Sequence, residues 1–262
     1  MDWLIVVYFL VLGAVLGSFC CCQVRRIQLK TAGKKSPGKR SVCLKCGKKL
    51  EWFENVPILS WVIQKGKCRK CGAEIGKAEI LTELVGAATM GVAIFRFLRA
   101  GEFGVWGLLM LGVVVAFLTT MLIVVVYDAL SSEMPARLLY VGIGLGVVGF
   151  FINAVGLSDG RIVERLVSGM VGVVILGGMY FFLYKISKEK LVGEGDYLMC
   201  VGIALMLGDW WLSLIALFLA NFVGAIVMMP LKKKRIPFGP FLYFAFVVVF
   251  GFAEFFLKLL WA

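Results

Sequence analysis

Four carboxylates, Glu83, Asp128, Asp196 and Glu254, stand within or at the ends of apolar runs. An ionisable group at membrane depth is costly and marks a functional site by default. Asp128 closes an uncharged run from Trp106 to Tyr127. An acid at a helix C-terminus opposes the macrodipole, so capping does not account for it. Asp196 ends Gly193-Glu194-Gly195-Asp196 before a short apolar run, and there an acid also suits a helix N-terminus by itself. Two carboxylates at one depth can share a proton, hold a water and cleave an amide as base and acid. Gly193 and Gly195 have no Cβ to keep a substrate backbone away. Glu83 and Glu254 lack such a loop. Glu83 reads as a packing or supporting acid, and nothing in the sequence names a partner for Glu254.

A second group is thiol-based. Cys43-Leu-Lys-Cys46-Gly and Cys68-Arg-Lys-Cys71-Gly are near-copies. Each pair with its glycine forms a tight knuckle, and two knuckles complete a tetrahedral four-cysteine Zn2+ site. Such a site has no open position for water, so its role is structural. Disulfides or reduced thiols are the alternatives, and a cytoplasmic location disfavours disulfides. Cys20, Cys21, Cys22 and Cys200 read as small apolar packing residues, with S-palmitoylation of the first three as the alternative.

These groups must be positioned by membrane helices. The chain has 262 residues, 61% of them hydrophobic and 17% charged, with a mean hydropathy of +0.95; this is an integral membrane composition. It has no histidine, which excludes Ser-His-Asp and Cys-His nucleophiles, His-ligated zinc hydrolases and histidine proton relays. Apolar runs at about 3–22, 80–98, 104–127, 138–156, 166–184, 197–208, 211–229 and 241–260 predict an all-α polytopic protein of about eight spans. The run at 197–208 is too short to cross unaided, and it must be re-entrant or extended within protein. Residues 1–22 read as the first span, 23–79 as a four-cysteine loop domain and 80–262 as a catalytic membrane domain. With 23–79 in the cytoplasm, 23 of the 28 basic residues fall on that side. The net charge of +12 is then a topology signal and an anionic-lipid contact rather than a nucleic-acid footprint. By this topology Asp128 and Asp196 both lie near the cytoplasmic boundary.

The order of these features resembles the bacterial prepilin peptidases, the type IV leader peptidases of the Gly-x-Gly-Asp class of intramembrane aspartyl proteases. The likeness is carried by Gly17-Ser18-Phe19 with Arg26, by Trp52 to Trp61 between the cysteine pairs, and by Gly66-Lys67-Cys68-Arg69-x-Cys71-Gly72 with Glu83-Leu84. Asp128 with Pro135 seven residues on, Gly193-x-Gly195-Asp196, and Pro237-Phe238-Gly239-Pro240 complete it. The resemblance implies an enzyme of the bacterial inner membrane that removes the short basic leader of prepilin or pseudopilin substrates. In it Asp128 and Asp196 are catalytic, and Pro237 and Gly239 support them. It further implies N-methylation of the new N-terminus with S-adenosylmethionine, an activity some members lack. Cys21, Ala136 and Leu198 depart from the family pattern, and neither aspartate is affected. No nucleotide-binding glycine-rich turn is visible in the sequence. Two readings of other classes use the same residues: an ion or proton-coupled transporter, and a zinc-bearing assembly factor without catalysis. The transporter reading predicts an internal repeat, and none relates the two halves.

Overall fold

The structure is a computed structural model that describes residues 2–31, 33, 41–43, 45–101, 103–157, 160–188, 192–229 and 237–260. The basic positions Lys34, Lys35, Lys39, Arg40, Lys190, Lys232, Lys233, Lys234 and Arg235 lie outside the described residues. The chain divides into two compact units, 1–91 and 92–262.

Unit 1 contains α1 (Asp2–Thr31), the short α2 (Leu59–Ile63) and most of α3 (Lys77–Ala100). The first helix runs nine residues past the expected boundary at residue 22, so its last turns carry Arg25, Arg26 and Lys30. Glycine decides how α1 meets α3. A Cβ on Gly13 would lie 2.3 Å from the Gly86 carbonyl oxygen, and one on Gly17 would lie 2.4 Å from that of Thr82. This Gly-x-x-x-Gly spacing lets backbones touch where apolar side chains give no net drive for association in lipid. Cys20 and Cys21 are buried at 0% and 2% exposure, as packing residues are. The loop between the helices folds as two small antiparallel ribbons, with bridges Val42 to Lys49 and Lys67 to Glu74.

Unit 2 is an all-helical bundle. It holds α4 (Val105–Ser131), α5 (Ala136–Phe151), α6 (Ile162–Val173), α7 (Met179–Ser187), α8 (Glu194–Leu207), α9 (Trp210–Met228), α10 (Gly239–Gly251) and α11 (Ala253–Leu260). A π-turn at Val174–Gly178 joins α6 to α7, and together they make one span, Ile162–Ser187. Among the described residues six helical segments are long and apolar enough to cross a membrane, or seven if α10 and α11, bent by 75°, count as one span.

The eight spans read from the sequence exceed this by α8. Its fourteen residues reach only about 21 Å at 1.5 Å per residue, short of a hydrocarbon core of about 30 Å. The helix is instead enclosed by protein, with Leu198 to Cys200 and Gly202 to Leu207 buried. Along α5, Gly146 stands so close that a Cβ would lie 2.8 Å from the Gly202 carbonyl oxygen of α8. The helix ends at Gly208, with φ +62. Asp209 then caps α9, its Oδ1 accepting from the Trp211 and Leu212 amides at 2.9 and 3.2 Å.

Candidate active site and thiol centre

Asp128 sits on the last turn of α4, 5% exposed. The helix stops at Ser132, whose φ of +53 is left-handed and whose amide donates to the Asp128 carbonyl oxygen at 2.7 Å. Pro135 then starts α5, where a missing N–H costs nothing. The Asp128 Oδ2 accepts from the Gly239 amide at 3.0 Å, a bond that joins positions 111 residues apart. Asp196 stands in the first turn of α8, and its Oδ2 accepts from the Gly193 amide at 2.9 Å. Each carboxyl thus has one oxygen held by a glycine N–H.

The glycines beside them leave no room for a side chain. A Cβ on Gly239 would lie 2.8 Å from both the Asp128 Oδ2 and the Met134 Cε. One on Gly195 would lie 2.7 Å from the Met134 Cβ and Sδ. Met134 is therefore seated between the segment that carries Asp196 and the segment that holds Asp128. Sequence reading did not single it out, because a methionine before a proline carries no chemical signal. Pro237 is half-buried at the entry to α10. Glu254 is exposed on α11 and Glu194 is exposed beside Asp196.

Glu83 belongs to unit 1. Its Oε2 accepts from the Ile58 amide at 2.6 Å. Ile58 has φ +62 and ψ −54, and the Leu59 amide donates to the Pro57 carbonyl oxygen at 2.6 Å. This is a γ-turn of the rare, strained hand, and a β-branched residue is an outlier there. Glu83 thus pins a strained loop, a role that the sequence could not reveal.

The four ribbon cysteines converge, with every sulfur within 4.8 Å of the others. Cys43 and Cys71 are 3.9 Å apart, and all four are free thiols. Gly47 and Gly72, at φ +69 and +67, close the two knuckles, their amides donating to the Cys43 and Cys68 carbonyl oxygens at 2.9 and 2.8 Å. Backbone N–H groups of Cys46 and Lys45 lower the Cys43 thiol to about 6. The amides of Cys71 and Lys70 lower Cys68 likewise. At Cys71 the Ala73 amide pulls the same way, but burial and the neighbouring thiols push it up to about 11. Four convergent sulfurs with mixed protonation are a donor set that could hold one soft divalent metal.

An apolar helical bundle with carboxyls at two helix ends, preceded in the chain by a four-thiol ribbon, defines a multi-pass membrane protein. Residues 11–97 match the Bacterial Peptidase A24 N-terminal domain. The chain is 30% identical to the prepilin leader peptidase/N-methyltransferase of Dichelobacter nodosus over 209 residues, 77% of this chain and 67% of that one. The protein of the same name from Aeromonas salmonicida is 30% identical over 215 residues, covering 78% and 68%. That from Vibrio cholerae is 26% identical over 262 residues, covering 95% and 98%. No solved structure matches the chain. The chain belongs to the prepilin leader peptidase/N-methyltransferase family.

Proposed function

We propose that the chain is a membrane aspartyl endopeptidase that removes the short basic leader of prepilin-like proteins at the cytoplasmic face and then methylates the new N-terminus. The observation that carries the proteolytic reading is the pair Asp128 and Asp196, each with its Oδ2 tied to a glycine amide, on segments that both stand against Met134. One oxygen of each carboxyl remains for a lytic water. The ionised acid takes a proton from that water as it attacks the scissile carbonyl, and the protonated acid gives one to the leaving amine. Gly239 and Gly193 are the glycines whose backbone approaches the acids, and Met134 stands against both Gly239 and Gly195. Glu254, which a transmembrane carboxylate path would need, is exposed on α11.

The ribbon holds one structural Zn2+ through Cys43, Cys46, Cys68 and Cys71, fixing a loop that has little core of its own. Its cytoplasmic placement is supported by the bias of Lys and Arg to one side, and anionic headgroups are the partners of those residues. The relatives' printed name includes N-methyltransferase. The donor for that reaction, S-adenosylmethionine, supplies a methyl group to a neutral amine; the C–S bond breaks, sulfur keeps the pair and the nitrogen sheds a proton.

Incubation of the purified chain with a prepilin, with and without S-adenosylmethionine, tests both halves by mass spectrometry of the product N-terminus. Loss of the leader is expected in both samples, and a further methyl group only with the donor. An uncut prepilin would overturn the proteolytic reading, and a cut but unmethylated product would overturn the second activity.

A further inference from the structure

Leu59, Val62 and Ile63, at the i, i+3 and i+4 positions of α2, share one face of that single turn and are 57, 56 and 59% exposed. An open apolar face of this kind marks an interaction surface. What covers it depends on its depth relative to the bilayer, and α1 and α3 supply the gauge. The two helices run antiparallel, since Gly13 meets Gly86 while Gly17 meets Thr82 and Glu83. Charge begins on both at one level, marked by the ion pair of Arg25 with Glu79. Beyond that pair α1 has no charge from Cys22 back to Trp3, and α3 has none between Glu83 and Arg96.

Glu83 stands one helical turn inward of Glu79, about 6 Å at 1.5 Å per residue. Opposite it, a Cβ on Gly17 would lie 2.8 Å from the Glu83 Cα, so this level falls inside the uncharged run of both helices. The Ile58 amide is held there by Glu83 Oε2. A glutamate side chain leans toward the N-terminus of its helix, which puts the amide between the levels of Glu79 and Glu83, at the top of the hydrocarbon. Non-helical backbone at that depth must find its partner within the protein, which accounts for a buried carboxylate spent on one amide. The strained turn at Ile58 thus marks where the loop touches the lipid boundary, and α2 starts from it. Leu81 and Leu84, on either side of Glu83, are exposed at the same depth.

From the turn that Glu83 holds at the lipid boundary and the open apolar face that follows it, we propose that α2 is a membrane-seated wedge. Leu59, Val62 and Ile63 lie among the acyl chains of the leaflet on the ribbon side, at the depth of about 5–10 Å that interfacial helices reach. Lys65, Lys67, Arg69 and Lys70 follow directly and are all exposed, a charge that complements phosphate headgroups above the wedge. The partner is phospholipid, and the four-thiol loop is thereby anchored at a third point besides α1 and α3.

The full-length chain, unaltered, in nanodiscs of phosphatidylethanolamine and phosphatidylglycerol tests this. A fraction of the phospholipid carries a diazirine within its acyl chain, and after illumination the labelled residues are mapped by mass spectrometry of peptides. Lipid adducts are expected on residues 59–63 as well as on Leu81 and Leu84, with none on the exposed ribbon residues 45–49 or 69–74. A water-soluble diazirine should give the reverse pattern. Acyl label on Leu81 and Leu84 but none on 59–63, with those residues marked by the water-soluble reagent, would overturn the wedge. Protection of 59–63 from both reagents would overturn it too, since a protein surface rather than lipid would then cover the face.

Discussion

Gly239 has no space for a methyl group, because its Cβ would press on the very carboxylate oxygen that its amide holds. Gly239→Ala is expected to lower kcat by roughly 10²-fold, the effect of misplacing a reacting group by about an ångström, and single-turnover cleavage measures it. Asp128→Asn and Asp196→Asn should each abolish cleavage with the fold intact, and, on the proposal that the acids act as one unit, the double variant should be little worse than either. Glu194→Gln, exposed and outside the pair, should keep substantial activity; near-normal cleavage by either asparagine variant would sink the acid-pair reading. Gly195→Ala collides with the Met134 side chain from its Cβ outward, so adding Met134→Gly, which removes that Cβ as well, should recover activity if the collision is the cause of the loss. The acids and Gly193-x-Gly195 were legible in the sequence, since charge within an apolar run needs a reason. Gly239 was legible only through the family resemblance, and Met134 not at all, because its place is set by a contact between segments distant in the chain.

At the scale of elements, the thiol ribbons were the most legible part. Two Cys-x-x-Cys-Gly repeats imply two left-handed glycines and four convergent sulfurs, and those are present. At pH 7 Cys43, near 6, is mostly thiolate, whereas Cys71, near 11, is a thiol. Zinc binding must therefore release protons, and its affinity should rise with pH across the neutral range. Calorimetric titration of the metal-free chain in buffers of different ionisation enthalpy reads that release. Equal apparent enthalpies in all buffers would contradict it. Metal analysis of Cys46→Ser with Cys71→Ser should show loss of the ion. The helices were legible in kind but less so in extent. A hydropathy run shows that a segment is apolar, but it does not show whether lipid or protein surrounds it. For this reason α8 counted as a span in the sequence, although it needs no full crossing length when α5 and its neighbours cover it. The charged turns that extend α1 to Thr31 were likewise invisible to an apolar count.

For the whole molecule, composition alone fixed the class: a charge-poor, histidine-free, multi-span helical protein. The proposed sidedness rests on the distribution of the basic residues and has a direct test. Cysteine labelling from outside intact cells should reach position 160 and spare position 38, the latter outside the described residues. Labelling of position 38 would overturn the cytoplasmic placement of both acids. The Asp128 carboxylate is held by a backbone amide 111 residues later in the chain. Translation and insertion proceed from the N-terminus, so a ribosome has already delivered both acids to the bilayer before the segment that orients the first of them exists. On the proposed acid-pair mechanism, the nascent chain should be proteolytically silent through most of its own biogenesis and become competent only when α10 docks. Chains stopped after α9 should accumulate as inserted but inactive protein, and a separately expressed segment carrying Gly239 should restore cleavage.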